Sequence, residues 1–329
     1  MDKTFENMFL KRPDDISTGY YFYNVEDDVY KKQNKPKKHN SDLNNQDYSK
    51  DFKYSWNCRK LQEVFGVTVD LEKVISEIAG ENKPFLEISC GSCMGLTPFI
   101  LKRNPEIQCL VTDINDDIIY EWRKFIDDPE NKLERHRISL ARFDNCDMPI
   151  NNESFDYITC TFAINYLYKE SLDSFKKALT EIHRVLKKGG RLVSIEHARK
   201  LEFDMEKIDQ ECQKGGAFYG LYPYEILKQA QINIENDYIL EKQIKRDQLI
   251  STGFKIDVYD DDDKNILIEK NPLYYVFEEA EKIYSVCANC NTVEERNEKC
   301  NKKEDLEKTI NYTGVKFTME KYLLVVHKL

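Results

Sequence analysis

The chain has no apolar run approaching the roughly 20 residues that a membrane helix needs. Its first residues, Met1-Asp-Lys-Thr-Phe-Glu6, lack the basic and then apolar layout of a signal peptide. These two absences predict a soluble, cytoplasmic protein with no membrane partner. An excess of positive charge is also missing. The formal net charge is −10, which speaks against broad nucleic-acid binding, because phosphate contacts want a basic face. There is no internal repeat, and the oligomeric state is not legible. The ten cysteines do not cluster in a small loop-rich frame. They are scattered through strand-like and helix-like segments, as suits free thiols in a reducing compartment.

What is present is a chain of 329 residues, 41% hydrophobic and 33% charged. That is enough for one large or two modest domains with a packed core under a charged surface. Residues 1–55 read as an N-terminal extension, polar and irregular, with a basic run at Lys31–Lys38 that reads as a solvated linker. Within it Gly19-Tyr-Tyr-Phe-Tyr23 is too aromatic to leave in water. It is expected to dock on the main body, as a lid over the pocket.

From Trp56 to Ile78 the apolar spacing is helical, with Asp70 as a cap for the second stretch. Then strands and helices alternate. Strands are expected over 84–89, 107–113, 138–143, 155–162 and 191–196, and helices over 96–103, 116–125 and 172–186. Lys187-Lys-Gly-Gly190 reads as the stop of the last helix. Such alternation implies parallel strands with helical crossovers, hence an α/β, doubly wound sheet. Beyond 196 the pattern loosens into a cap insertion (199–235), a helix near 236–251, a strand at 253–259, a charged insertion (271–312) and a terminal strand at 321–327.

In an open parallel sheet, ligands bind beyond the carboxyl ends of the strands, where strand order reverses. The first loop there is Glu87-Ile-Ser-Cys-Gly-Ser-Cys-Met-Gly95. Gly91 lets a ligand approach the main chain, and the next helix offers free N–H groups to a carboxylate. Asp113 ends the second strand about 20 residues further on, where a carboxylate can accept from both hydroxyls of a ribose. The loop does not fit Gly-x-Gly-x-x-Gly, so a nicotinamide-dependent oxidoreductase fits poorly. On these two features alone an ordinary βα turn with a capping aspartate also stays open.

Two further stretches narrow the reading. Phe143-Asp-Asn-Cys-Asp-Met-Pro-Ile-Asn-Asn-Glu-Ser-Phe-Asp156, followed by Glu181-Ile-His-Arg-Val-Leu-Lys-Lys-Gly-Gly-Arg-Leu192, closely resembles the class I S-adenosylmethionine-dependent methyltransferases. The likeness is strongest to the branch that modifies small molecules. It covers residues 84–197 closely, and Gly253-Phe254 and the final strand more loosely. It implies a Rossmann-like methyltransferase sheet of seven strands, the last antiparallel, over 56–329. It implies S-adenosylmethionine as cofactor and a small-molecule methyl acceptor.

The resemblance also implies roles. Glu87, Ser89 and Gly91 would lie along the methionine part of the cofactor. Asp113 would bind the ribose and Ile114 pack on adenine. Asp144 and Asn145 would meet the adenine edge, and Thr161 and Phe162 would border the sulfonium. Acceptor-side candidates are Asn165, Tyr166, Glu196 and His197, with His197 as the base where one is needed. Tyr20, Tyr21, Tyr219 and Tyr222 would roof the pocket. Glu181 to Gly190 is expected to be structural. The family usually has glycine where this chain has Ser89 and Cys93, and a methyltransferase-fold binding or scaffold protein is the alternative reading. No metal is expected: Cys287, Cys290 and Cys300 offer three thiols where a structural zinc wants four ligands.

Overall fold

The computed structural model describes residues 5–9, 20–24, 29–33, 53, 56–57, 69–91, 94–131, 137–202, 224–259, 266–268 and 316–329. The strands in chain order are β1 (Tyr20–Asn24), β2 (Val29–Gln33), β3 (Phe85–Ile88), β4 (Cys109–Asp113), β5 (Ile138–Arg142), β6 (Phe155–Thr161), β7 (Leu186–Glu202), β8 (Phe254–Tyr259), β9 (Ile266–Ile268) and β10 (Lys316–Lys328). The α-helices are α1 (Val69–Glu81), α2 (Thr97–Arg103), α3 (Asp116–Asp127), α4 (Ala163–Glu170), α5 (Leu172–Val185) and α6 (Tyr224–Thr252).

The sheet order is β2-β1-β5-β4-β3-β6-β7-β10-β8, with β9 paired to β10. Strands β3 to β7 are mutually parallel, and β10 runs antiparallel to β8. The seven strands implied by the sequence are therefore present. Three more extend them, the β1–β2 hairpin and β9. Residues of β3 and β4 are buried along their whole length, as a sheet covered by helices on both faces requires. The chain leaves β3 toward β4 and β5, then returns to place β6 on the other side of β3. This reversal is the switch point beyond which ligands bind.

Helix α5 shows how the covering layer is written. Phe175, Ala178, Leu179, Ile182 and Val185 recur at helical spacing and are buried, and Ser171 caps the helix by accepting from the Ser174 N–H. Two expectations shift. Helix α1 begins at Val69, so Asp70 sits in its first turn, where a negative charge suits the helix N-terminus. Lys187-Lys-Gly-Gly190 lies inside β7. Phe155 pairs with Leu186 but Tyr157 with Arg191, so these four residues bulge out of the ladder, with Gly189 at φ +74°.

The aromatic segment docks as a strand: Tyr21, Phe22 and Tyr23 pair antiparallel with Arg142, Ala141 and Leu140. Phe5 stacks on Phe155 at 6.1 Å, and Phe9 bridges Ile150. The chain forms two compact units, one of 1–196 with 247–263 and 322–329, the other of 197–246 with 264–321. Among the described residues no helix is long and apolar enough to cross a membrane.

Candidate functional site

The carboxyl ends of β3 to β7 gather Glu87, Ser89, Gly91, Asp113, Ile114, Asp144, Asn145, Thr161, Phe162, Asn165 and Glu196 onto one edge of the sheet. Asp113 is central. Its Oδ2 accepts the Gly91 N–H at 2.9 Å and its Oδ1 the Asn115 N–H at 2.9 Å. Burial pushes the Asp113 carboxyl up. The N–H groups of Asn115, Gly91 and Ile114 and the Arg142 guanidinium oppose that rise and favour the charge. Arg142 stands beside Asp113 in the β4–β5 register, and Tyr21 stands beside Arg142 from β1. Tyr20 and Tyr21 thus begin a strand at the carboxyl end of β5.

Gly91 lies at φ +54°, and a Cβ there would meet nothing within 4 Å among the described residues. The main chain is open to a ligand at this point. Gly95 is the opposite case. At φ +57°, an added Cβ would overlap the Glu87 carboxylate. Glu87 is fully buried. Its Oε2 accepts from Thr159 Oγ1 at 2.7 Å, the Leu96 N–H at 3.1 Å and Thr97 Oγ1 at 3.3 Å. Burial raises this carboxyl to about 7, against the pull of those donors.

Ser89 also has a left-handed backbone, φ +48°. For a residue with a Cβ that conformation costs about 1–2 kcal/mol. The Ser89 hydroxyl accepts from Asn145 Nδ2 at 2.7 Å. On the other side, the Asp144 Oδ1 accepts the Cys146 N–H at 2.8 Å, which closes a tight turn. This turn hangs from α5. The Met148 N–H donates to Glu181 Oε2 at 2.8 Å, and Arg184 donates to the carbonyls of Met148 at 2.9 Å and Ile150 at 2.6 Å. Glu181 and Arg184 thereby hold this turn against α5.

Phe162 follows β6 and caps α4 at φ +62°, and its N–H donates to the Ile195 carbonyl at 2.7 Å. Non-glycine left-handed residues concentrate at functional sites. Glu196, expected on the acceptor side, is fully buried. Its Oε1 accepts the Ile164 N–H at 3.2 Å and the Ser194 hydroxyl, and its Oε2 the Asn165 N–H at 3.0 Å. A carboxylate at the first turn of α4 satisfies donors that have no partner inside the helix. Glu196 therefore positions α4. Asn165 is 1% exposed beneath that turn, whereas Tyr166 is 73% exposed.

Among the described residues, the buried polar atoms without a hydrogen-bond partner include Glu87 Oε1, Asn115 Nδ2 and Thr161 Oγ1. All three belong to residues at or just beyond the carboxyl ends of β3, β4 and β6. Unpartnered buried polar atoms are rare in folded proteins, and their gathering here fits a polar ligand that would complete them. Sequence reasoning missed Gly95 and Arg142. A charge closing the apolar run Ile-Ser-Leu-Ala-Arg142 was the available signal for the second. The side chain of His197, and Tyr219, Tyr222, Cys93, Cys287, Cys290 and Cys300 altogether, lie outside the described residues.

Residues 86–194 match the family model described as a methyltransferase domain. No curated protein matches the chain. Among solved structures, the YcgJ protein of Bacillus subtilis is 14% identical, over 78% of this chain and 98% of that one, with a TM-score of 0.43. Phosphoethanolamine N-methyltransferase 2 of Haemonchus contortus, solved with phosphomonomethylethanolamine and S-adenosylhomocysteine, is 14% identical over 95% of this chain and 68% of that one, with a TM-score of 0.45. The chain is thus similar to a methyltransferase domain over residues 86–194.

Proposed function

We propose that the protein transfers a methyl group from S-adenosylmethionine to an N, O or C atom of a small-molecule acceptor. The observation that carries this reading is that the described buried polar atoms Glu87 Oε1, Asn115 Nδ2 and Thr161 Oγ1 lack partners at the same edge of the sheet as the buried Asp113 carboxyl. The residues present fit the cofactor. Asp113 offers acceptor lone pairs for a ribose, with Ile114 beside it for the adenine face. Asp144 and Asn145 supply the polar edge for the adenine amino group. Glu87, Ser89 and the open main chain at Gly91 serve the methionine part, and Thr161 and Phe162 border the sulfonium.

S-adenosylmethionine supplies, when bound, an electrophilic methyl group on a positive sulfur. The chain's task is alignment, which is worth roughly 7–11 kcal/mol in favourable cases. An aromatic face such as that of Phe162 suits the positive sulfur. Glu196 holds α4 in place and thereby fixes Asn165 and Tyr166 as acceptor-side groups. Tyr20, Tyr21, Tyr219 and Tyr222 roof the pocket in this reading. His197, next after Glu196 in β7, is the base for an acceptor that must lose a proton. The net charge of −10 supports a small acceptor over a nucleic acid. A cytoplasmic location belongs to the same reading.

Calorimetric titration with S-adenosylhomocysteine tests the proposal. Saturable binding to the folded protein is expected, and its absence would sink the reading. The left-handed Ser89, in a position that the family usually gives to glycine, favours a second reading in which the fold binds ligand without turnover. Release of S-adenosylhomocysteine in the presence of any acceptor would exclude that alternative.

A further inference from the structure

We infer that Ser89 and Asn145 form a strap that pre-organises the methyl-donor cleft. The inference rests on the donor-binding reading above. Ser89 follows β3 and Asn145 follows β5, 56 positions away, and their bond is 2.7 Å long. The strap joins the loop that carries Gly91 to the turn that carries Asp144. Strand β4, which ends in Asp113, runs between the two. The backbone at Ser89 is held at φ +48°, a conformation that glycine would adopt without strain. A hydroxyl is thus kept at a strained position, where it accepts from the Asn145 amide. Asn145 is itself buried, so its amide also loses a partner when the hydroxyl is removed. The strap holds both flanks of the cleft at one separation before the donor arrives, so less freedom is lost on binding.

Beyond the donor contacts assigned to them above, both residues act on each other's loops through this bond, and in that respect they are positioning residues. Strain and strap make opposite demands, and this separates the strap from a merely structural bond. Ser89→Gly removes the strain along with the hydroxyl. Its thermal stability is expected to stay level or rise, while affinity for S-adenosylhomocysteine falls about 5- to 10-fold. Asn145→Ala is expected to lose affinity by a similar factor, and the double variant by no more than either single one. Equal affinity of Ser89→Gly and the unaltered protein overturns the strap. So do fully multiplicative losses in the double variant. Failure of the unaltered protein to bind S-adenosylhomocysteine is a different result, and it removes the donor-binding reading instead.

Discussion

Glu87 and Gly95 occupy each other's space: a methyl group added at 95 would overlap the buried Glu87 carboxylate. The loop after β3 is shaped around that acid, which bonds Leu96 and Thr97 at the start of α2 and Thr159 in β6. Gly95→Ala therefore meets two penalties, left-handed strain at φ +57° and overpacking of a charged group. A loss of about 2–4 kcal/mol is expected from chemical denaturation. In a Glu87→Ala background, where the carboxylate is absent, adding Gly95→Ala is expected to cost only the strain.

The same acid makes stability depend on pH. Burial raises the folded Glu87 carboxyl from its ordinary value of 4.5 to about 7. The folded protein then binds more protons than the unfolded chain between those values. Its contribution is full below about 4.5 and is lost as pH rises through about 7. Between pH 5 and 8 the stability of the unaltered protein should fall relative to Glu87→Gln. The difference is on the order of 3 kcal/mol. Parallel curves for the two proteins would show that Glu87 does not titrate in this range.

Asp113→Asn keeps the shape of the β4 end but gives up the charge and one acceptor. One of the N–H groups of Gly91 and Asn115 loses its acceptor, yet the fold is expected to survive. Affinity for S-adenosylhomocysteine should drop roughly 10- to 100-fold, as for loss of hydrogen bonds to an ionised group. Titration calorimetry on protein with unchanged circular dichroism reads this directly.

Glu196→Ala leaves the Ile164 and Asn165 N–H groups without their acceptor at the start of α4. A destabilisation of about 1–3 kcal/mol is expected. Glu196→Gln retains one acceptor oxygen and should restore part of it. If the alanine variant were as stable as the parent but unable to turn over, Glu196 would be an acceptor-side group after all.

Cys146 should resist thiol reagents in the native state, although it is only half-buried. Burial and the neighbouring Asp144 push its thiol up to about 12, so almost no thiolate exists at neutral pH. Cys90, Cys109 and Cys160 are buried as well. Alkylation at pH 8 followed by peptide mass mapping should leave all four unmodified until denaturant is added.

The parallel strands and their acidic ends were legible because each is written in a short stretch of sequence. An apolar run followed by Asp113 or by Phe143-Asp144 reads the same in the chain and in the fold. What escaped reading depends on distant neighbours. The Ser89–Asn145 bond needs β5 placed one strand away from β3. The cap that Glu196 provides needs β7 beside α4, and on sequence alone it looked like an acceptor contact. The Lys187–Gly190 bulge needs the register of β6, since a helix stop and a bulge share the same residues. The aromatic run at Tyr20 was expected to dock, and its pairing with β5 is a backbone property that its side chains do not announce.

The turn after β5 has a tether at the far end of the sequence. The Asn151 N–H donates to the Met8 carbonyl at 2.7 Å, Asn151 Nδ2 donates to the Asn7 carbonyl at 3.0 Å, and Phe5 is buried against Phe155. The same turn is gripped by Arg184. Trimming the first nine residues would unmoor one side of the segment that carries Asp144 while α5 still held the other. Residues 5–9 therefore act as a guy-line for the turn that carries Asp144.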